Sequence, residues 1–175
     1  MNLSKFIRTI ADFPEPGIMF RDVTTLFGNP NAFKTMILSF EEVWKGQKID
    51  YIAGIDARGF IIGGALAHHF GVGFVPVRKK GKLPYKTIEE NYDLEYGTAT
   101  LELHTDAVSA GSKVLVVDDL IATGGTAIAA ITLLRKLQAK LVGCAFLVDL
   151  PDLGGAKRII EMGIEVNSLC AFDGE

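Results

Sequence analysis

Apolar positions recur along the chain with two different periods, and the switches between them delimit the elements. Leu3, Phe6, Ile7 and Ile10 fall at helical spacing and predict an amphipathic helix from Leu3 to Ile10. Phe33, Ile37, Phe40 and Trp44 form a second stripe, predicting a helix from Asn31 to Trp44 capped near Asn29 or Asn31. Between them, Pro14, Pro16 and Gly17 prevent regular helix, so Phe13 to Pro30 reads as a long aromatic loop. A loop of this length in a compact domain usually has a function, although Met19 and Phe20 plugging the core is an equal alternative. Short β-branched runs at Ile49 to Ile55, Gly73 to Val77, Val114 to Val117, Lys140 to Leu147 and Val166 to Phe172 predict buried strands. Helical patterns at Ile61 to Phe70, Ala127 to Leu137 and within Asp152 to Met162 separate most of them. Thr98 to His104 alternates instead, with Ala99, Leu101 and Leu103 opposing Thr100, Glu102 and His104, which predicts a half-exposed antiparallel strand. Leu83 to Gly97 shows no clean period and reads as either a polar flap or a surface hairpin. Strands alternating with helices predict an α/β fold, a mostly parallel central sheet with helices on both faces.

Composition narrows this picture little. At 175 residues, one domain spanning 1–175 is expected, and no internal repeat or linker interrupts it. A net charge of −3 argues against a general nucleic-acid binder. No apolar run approaches the ~18 residues of a membrane span, and the start lacks a secretory apolar segment. Cys144 and Cys170 lie far apart in apolar stretches, as buried free thiols would, which fits a cytoplasmic protein. His68 and His69 are adjacent, face different directions on a helix and read as structural rather than as a metal pair.

The candidate chemistry concentrates in Lys113 to Thr126, KVLVVDDLIATGGT. An apolar strand runs into Asp118 and Asp119, then Ala122-Thr123-Gly124-Gly125-Thr126, then a helix. A glycine loop opening a helix turns backbone N–H groups toward a phosphate, and the helix N-terminus adds favourable partial charge. Acids beside such a cradle suit the vicinal hydroxyls of a ribose, or a Mg²⁺ that bridges ligand oxygens. The string is neither a P-loop, which ends in Gly-Lys-Ser/Thr, nor a GxGxxG dinucleotide fingerprint. After the first core strand comes DARGF, Asp56 to Phe60, whose Arg58 suits bidentate contact with a diphosphate. After the next comes RKKGK, residues 78–82, a set of counter-charges for a polyanion on the same sheet edge.

The whole string VVDDLIATGGT resembles the PRPP (phosphoribosyl pyrophosphate) motif of the type I phosphoribosyltransferase family. FPEPGIMFRDVT, DARGF, VPVRKKGKLP, YDLEYG and DLGG extend the likeness over essentially the whole chain. Two of these, FP-x-PGI-x-FRDVT and YDLEYG, resemble the branch that uses adenine. The resemblance implies transfer of ribose 5-phosphate from PRPP to N9 of adenine, giving AMP and pyrophosphate with Mg²⁺ present, in a homodimer. It places Ala122, Thr123, Gly124, Gly125 and Thr126 at the 5-phosphate and Asp118 and Asp119 at the ribose hydroxyls, with Mg²⁺ arriving on PRPP. Asp56, Ala57, Arg58 and Gly59, with Arg78, Lys79 and Lys82, would hold the diphosphate. Main-chain groups of Met19 and Arg21 would read the purine edge, with Phe20 and Leu120 against its face, making residues 1–30 a base-binding segment. A flap of about residues 79–101 would close the site, with Glu95 near the base as a proton carrier and Tyr96 sealing it; Glu95 and Arg58 are the catalytic candidates. The family commonly has Glu where this chain has Asp56, one methylene shorter. Transfer to a 6-oxopurine and a PRPP-binding regulator are the rival readings.

Overall fold

The computed structural model describes residues 1–93 and 97–173. Chain order begins with a 3-10 turn at Leu3–Phe6, then β1 (Arg8–Ala11), β2 (Met19–Asp22), α1 (Thr24–Phe27) and α2 (Pro30–Trp44). There follow β3 (Tyr51–Ile55), α3 (Gly59–Phe70), β4 (Gly73–Lys79), β5 (Thr87–Asp93), β6 (Thr98–His104), β7 (Lys113–Ile121) and α4 (Gly125–Lys136). The chain ends with β8 (Lys140–Asp149), a 3-10 turn at Pro151–Leu153, α5 (Gly155–Glu161) and β9 (Val166–Ala171).

The expected α/β architecture is present. Seven strands form one sheet in the order β5-β6-β4-β3-β7-β8-β9. β4, β3, β7, β8 and β9 are parallel, while β6 runs antiparallel to both β4 and β5. Alternate strand residues feed two cores, because successive side chains leave a strand on opposite faces. Leu115 and Val117 pack with Phe40, Ile62 and Leu66 beneath α2 and α3. Val114 and Val116 pack with Ile131, Leu134 and Ile159 beneath α4 and α5. The two thiols are free and buried, and burial pushes the Cys144 thiol up to about 12.

The structure refines several expectations. The helix expected over Leu3 to Ile10 is one 3-10 turn followed by β1, which pairs antiparallel with β2. Leu3, which opens the turn, and Ile7, which caps it, are buried and reproduce helical spacing, but the ladder that stabilises Arg8–Ala11 comes from residues 19–22. The aromatic loop accordingly contains β2 and α1. Within Leu83 to Gly97 lies β5, paired with β6 over its full length, so the described part of this segment is a hairpin at the sheet edge. Its polar sequence reflects a strand at the sheet edge, where Glu89 and Glu90 meet Lys80 and Lys136. Finally, β7 continues through Asp118 and Asp119 to Ile121 instead of ending before them.

Asp22 pins the β1–β2 ribbon. Its carboxylate accepts hydrogen bonds from Arg8 Nε and Nη2 at 3.1 and 2.5 Å and from the Thr24 amide and hydroxyl at 2.9 and 2.6 Å. The Thr24 hydroxyl first, then Arg8, lower its pKa from the usual 3.8 to about 2. A lowered pKa means that the ionised group stabilises the fold fully above the unfolded value near 3.8, and that this contribution fades as pH falls toward 2. Asp22→Asn should therefore lower the thermal midpoint near neutral pH, with the gap to the parent closing between about pH 4 and pH 2 in thermal melts.

Candidate active site

Because β3, β4, β7 and β8 are parallel, their carboxyl ends share one edge, where open α/β sheets bind ligands. Asp56-Ala57-Arg58 follows β3, Arg78 and Lys79 end β4, Asp118 to Ile121 end β7, and Leu150 follows β8. The Asp56–Ala57 peptide is cis.

Two guanidinium groups face two carboxylates here. Arg58 Nε donates to Asp119 Oδ2 at 2.5 Å, and Arg78 Nε donates to Asp56 Oδ2 at 3.2 Å. Each contact uses the inner nitrogen of the fork, which leaves both terminal nitrogens of Arg58 and Nη2 of Arg78 for a second anion, while Arg78 Nη1 donates to the Lys82 carbonyl. Gly59 makes the first contact possible: a Cβ there would lie 2.8 Å from the Val117 carbonyl and 2.9 Å from Asp118 Oδ1. Only glycine lets α3 begin against β7 and carry Arg58 to Asp119. Removal from water first, and the neighbouring Asp119 charge second, raise the Asp118 carboxyl well above the usual carboxylate range. The Asp119 amide, donating to Asp118 Oδ1 at 2.8 Å, works against that rise. A cavity of about 390 Å³ gathers Asp56, Ala57, Arg58, Lys79, Asp118, Asp119 and Thr126 with Leu120 and Tyr92.

Residues 122–126 wrap a smaller cavity of about 170 Å³, which Asp118 and Leu120 also line. Gly124 has φ +82° and precedes the first turn of α4. The outer side of this loop is held from the DLGG segment and α5. The Gly155 amide donates to the Ala122 carbonyl at 2.9 Å, and Arg158 Nη1 donates to the Thr123 carbonyl at 2.6 Å.

A third cavity, about 540 Å³, is lined by Met19, Phe20, Arg21, Arg58, Leu120 and the 122–126 loop, with Leu150 and Leu153 as floor. The Phe20 ring lies beneath the Arg58 guanidinium, 5.8 Å from its centroid, and meets Phe13 edge-on at 5.2 Å. The Arg21 side chain is committed elsewhere: Nη1 donates to Thr9 Oγ1 at 2.6 Å and the guanidinium covers the Phe172 ring at 4.4 Å. What Arg21 offers the cavity is main chain. Among the described residues β2 pairs only with β1, so no strand covers its other edge.

The structure thus brings together Met19, Phe20, Arg21, Leu120, Asp56, Ala57, Arg58, Lys79, Asp118, Asp119 and the 122–126 loop. Gly59 acts by its small size, and Arg78 reaches the edge through Asp56. Lys82 enters by its main chain only: its amide donates to Glu102 and its carbonyl accepts from Arg78. Glu95 and Tyr96 lie outside the described residues. Sequence reasoning missed Glu102, Arg158, Leu150 and Leu153. Glu102, placed on the outer face of its strand by alternation, is buried, and its Oε1 accepts from the Lys82 and Leu83 amides at 2.8 and 2.6 Å. Burial pushes its carboxyl up, but the Leu83, Gly81 and Lys82 amides together outweigh that and hold it below the usual range.

Residues 25–167 match the phosphoribosyl transferase domain family. The chain is 59% identical over 174 residues to an adenine phosphoribosyltransferase of Maricaulis maris, covering 99% of each. Among solved structures it is similar to the adenine phosphoribosyltransferase of Rhodothermus marinus, with 50% identity, a TM-score of 0.91, and coverage of 97% and 96% of the two chains. It is similar also to that of Saccharomyces cerevisiae complexed with D-2,5-dideoxy-2,5-imino-altritol 1,6-bisphosphate and adenine, with 42% identity, a TM-score of 0.88, and coverage of 95% and 96%.

Glu102→Leu removes the acceptor for the loop amides and should cost about 1–3 kcal/mol of stability. Hydrogen exchange at Lys82 and Leu83 should then accelerate selectively, while amides of β7 stay protected.

Proposed function

Since the chain belongs to the adenine phosphoribosyltransferases, within the phosphoribosyl transferase domain family, we propose that its three edge cavities divide one reaction among them. The 540 Å³ cavity takes adenine, the 390 Å³ cavity the diphosphate of PRPP, and the 170 Å³ cavity the 5-phosphate. One observation carries this reading: Leu120 and Thr126 line all three cavities, and Arg58 lines both of the larger ones. The ribose therefore sits at their junction, beside Asp118 and Asp119, with base and leaving group on opposite sides.

In the reaction N9 of adenine bonds to C1 of the ribose as the C1–O bond to diphosphate breaks. The N9 proton leaves the base, and Glu95 is the proposed acceptor. Positive charge develops on the sugar ring and negative charge on the leaving group. Asp118 and Asp119 would hold the ribose hydroxyls and so orient the ring on which the first develops, and the terminal nitrogens of Arg58 and Nη2 of Arg78, with Lys79, suit the second. Holding base and sugar in line supplies roughly 7–11 kcal/mol by converting an encounter into an intramolecular step. Closure of the β5–β6 arm, including Tyr96, would keep water from the activated sugar.

Mg²⁺ fits the site as an ion carried by substrate. Mg²⁺ is satisfied by one or two carboxylates plus phosphate oxygens, which two adjacent acids beside a phosphate cradle supply. Asp118 and Asp119 would hold it, and its charge would assist departure of pyrophosphate.

The free edge of β2 supports adenine over a 6-oxopurine. Adenine presents a donor at N6 beside an acceptor at N1, which matches adjacent C=O and N–H groups of an extended strand. Hypoxanthine and guanine reverse both, and no lysine lines this cavity among the described residues. We propose also a homodimer, supported by Ile61 at 47% and Phe74 at 37% exposure, and a cytoplasmic location, supported by the free thiols.

AMP formation from adenine and PRPP with Mg²⁺, run beside hypoxanthine and guanine, should show turnover with adenine alone. Turnover with a 6-oxopurine instead would overturn the reading of β2, and PRPP binding without turnover would favour a regulator. Arg58→Ala should lower kcat/KM about 10²- to 10³-fold in the same assay.

A further inference from the structure

The loop at 122–126 must present N–H groups to an anion, yet it contains Gly124 and Gly125, the residues least able to fix their own backbone. Its orientation is set from outside. A trans peptide is planar, with C=O and N–H pointing in opposite directions. The carbonyl of Ala122 is held on the outer side by the Gly155 amide at 2.9 Å, so the Thr123 amide of the same peptide points the other way. The carbonyl of Thr123 is held on the outer side by Arg158 Nη1 at 2.6 Å, so the Gly124 amide also points inward. Neither of these two amides has a hydrogen-bond partner among the described residues. Were the second peptide to rotate, a carbonyl oxygen would replace the Gly124 amide in the cavity and oppose an anion there.

We propose that Arg158 is a positioning residue for the 5-phosphate site: from α5 it locks the Thr123–Gly124 peptide with its N–H turned into the cradle. This rests on the reading that residues 122–126 bind the 5-phosphate. Arg158 is exposed, so truncating it disturbs no core packing. Gly155 makes the complementary contact by necessity, since a Cβ there would lie 2.6 Å from the Gly124 nitrogen. The two pegs are three residues apart on one short element, so the loop is gripped as a unit. Lys at 158 can still donate to the carbonyl, whereas Met keeps the stem without a donor.

The test is calorimetric titration of the full chain with ribose 5-phosphate, AMP and pyrophosphate, for the parent and for Arg158→Met and Arg158→Lys, alongside steady-state kinetics. Arg158→Met should bind ribose 5-phosphate and AMP about tenfold more weakly and raise KM for PRPP similarly. Its kcat and pyrophosphate affinity should stay near the parent values, and Arg158→Lys should recover most of the loss. Unchanged ribose 5-phosphate affinity in Arg158→Met overturns the proposal. So does equal weakening of pyrophosphate, which would mark general loosening of the edge. A parent that binds pyrophosphate but neither phosphate monoester would instead overturn the assignment of the loop itself.

Discussion

A carboxylate taken out of water persists as an anion only with a cation or several donors against it, and Asp119 is buried near the middle of the sheet edge. Arg58, 61 residues away in sequence, supplies that cation. Satisfying this pair places the end of β3 against the end of β7, and it explains why α3 opens on a residue without a side chain. Arg58 then becomes the shared wall of two cavities, with Phe20 of the N-terminal ribbon beneath it. Much of the edge follows from one buried charge. A similar constraint recurs at Glu102, where a buried carboxylate is met by backbone amides and fixes the basic loop after β4.

What was legible in the sequence is what is local. The strand, acids, glycine loop and helix from Lys113 to Lys136 are contiguous, so their chemistry and geometry could be read from spacing alone. The buried parallel strands were legible because they are apolar on both faces. The β1–β2 ribbon was not, since its ladder joins residues 8–11 to residues 19–22 across a loop containing two prolines. β5 was hidden by its acids, which read as a solvated loop until Lys80 and Lys136 are found opposite them.

The residues missed at the site share a cause. Glu102 obeys the alternation of its strand, and only the chain folding back at 81–83 turns an outward position into a buried one. Leu150 and Leu153 look like ordinary core residues and become a cavity floor because β8 ends level with β7. Arg158 is one of two adjacent basic residues on a short helix, Lys157 and Arg158, with no pattern that singles it out. In each case the signal lies in contacts between distant segments, which no window of sequence contains.

The free edge of β2 has a consequence for how this protein can diverge. If the base is read by main-chain atoms, then the specificity is carried by groups that every residue type possesses, and substitution of Met19 or Arg21 leaves the reading atoms in place. Side-chain drift in this ribbon is therefore buffered with respect to substrate choice. Acquiring a different purine would require sliding or rebuilding the strand, a change in chain length or register that single-base mutations seldom supply. The base preference of such a fold is conservative by construction, while the surfaces around it remain free to vary.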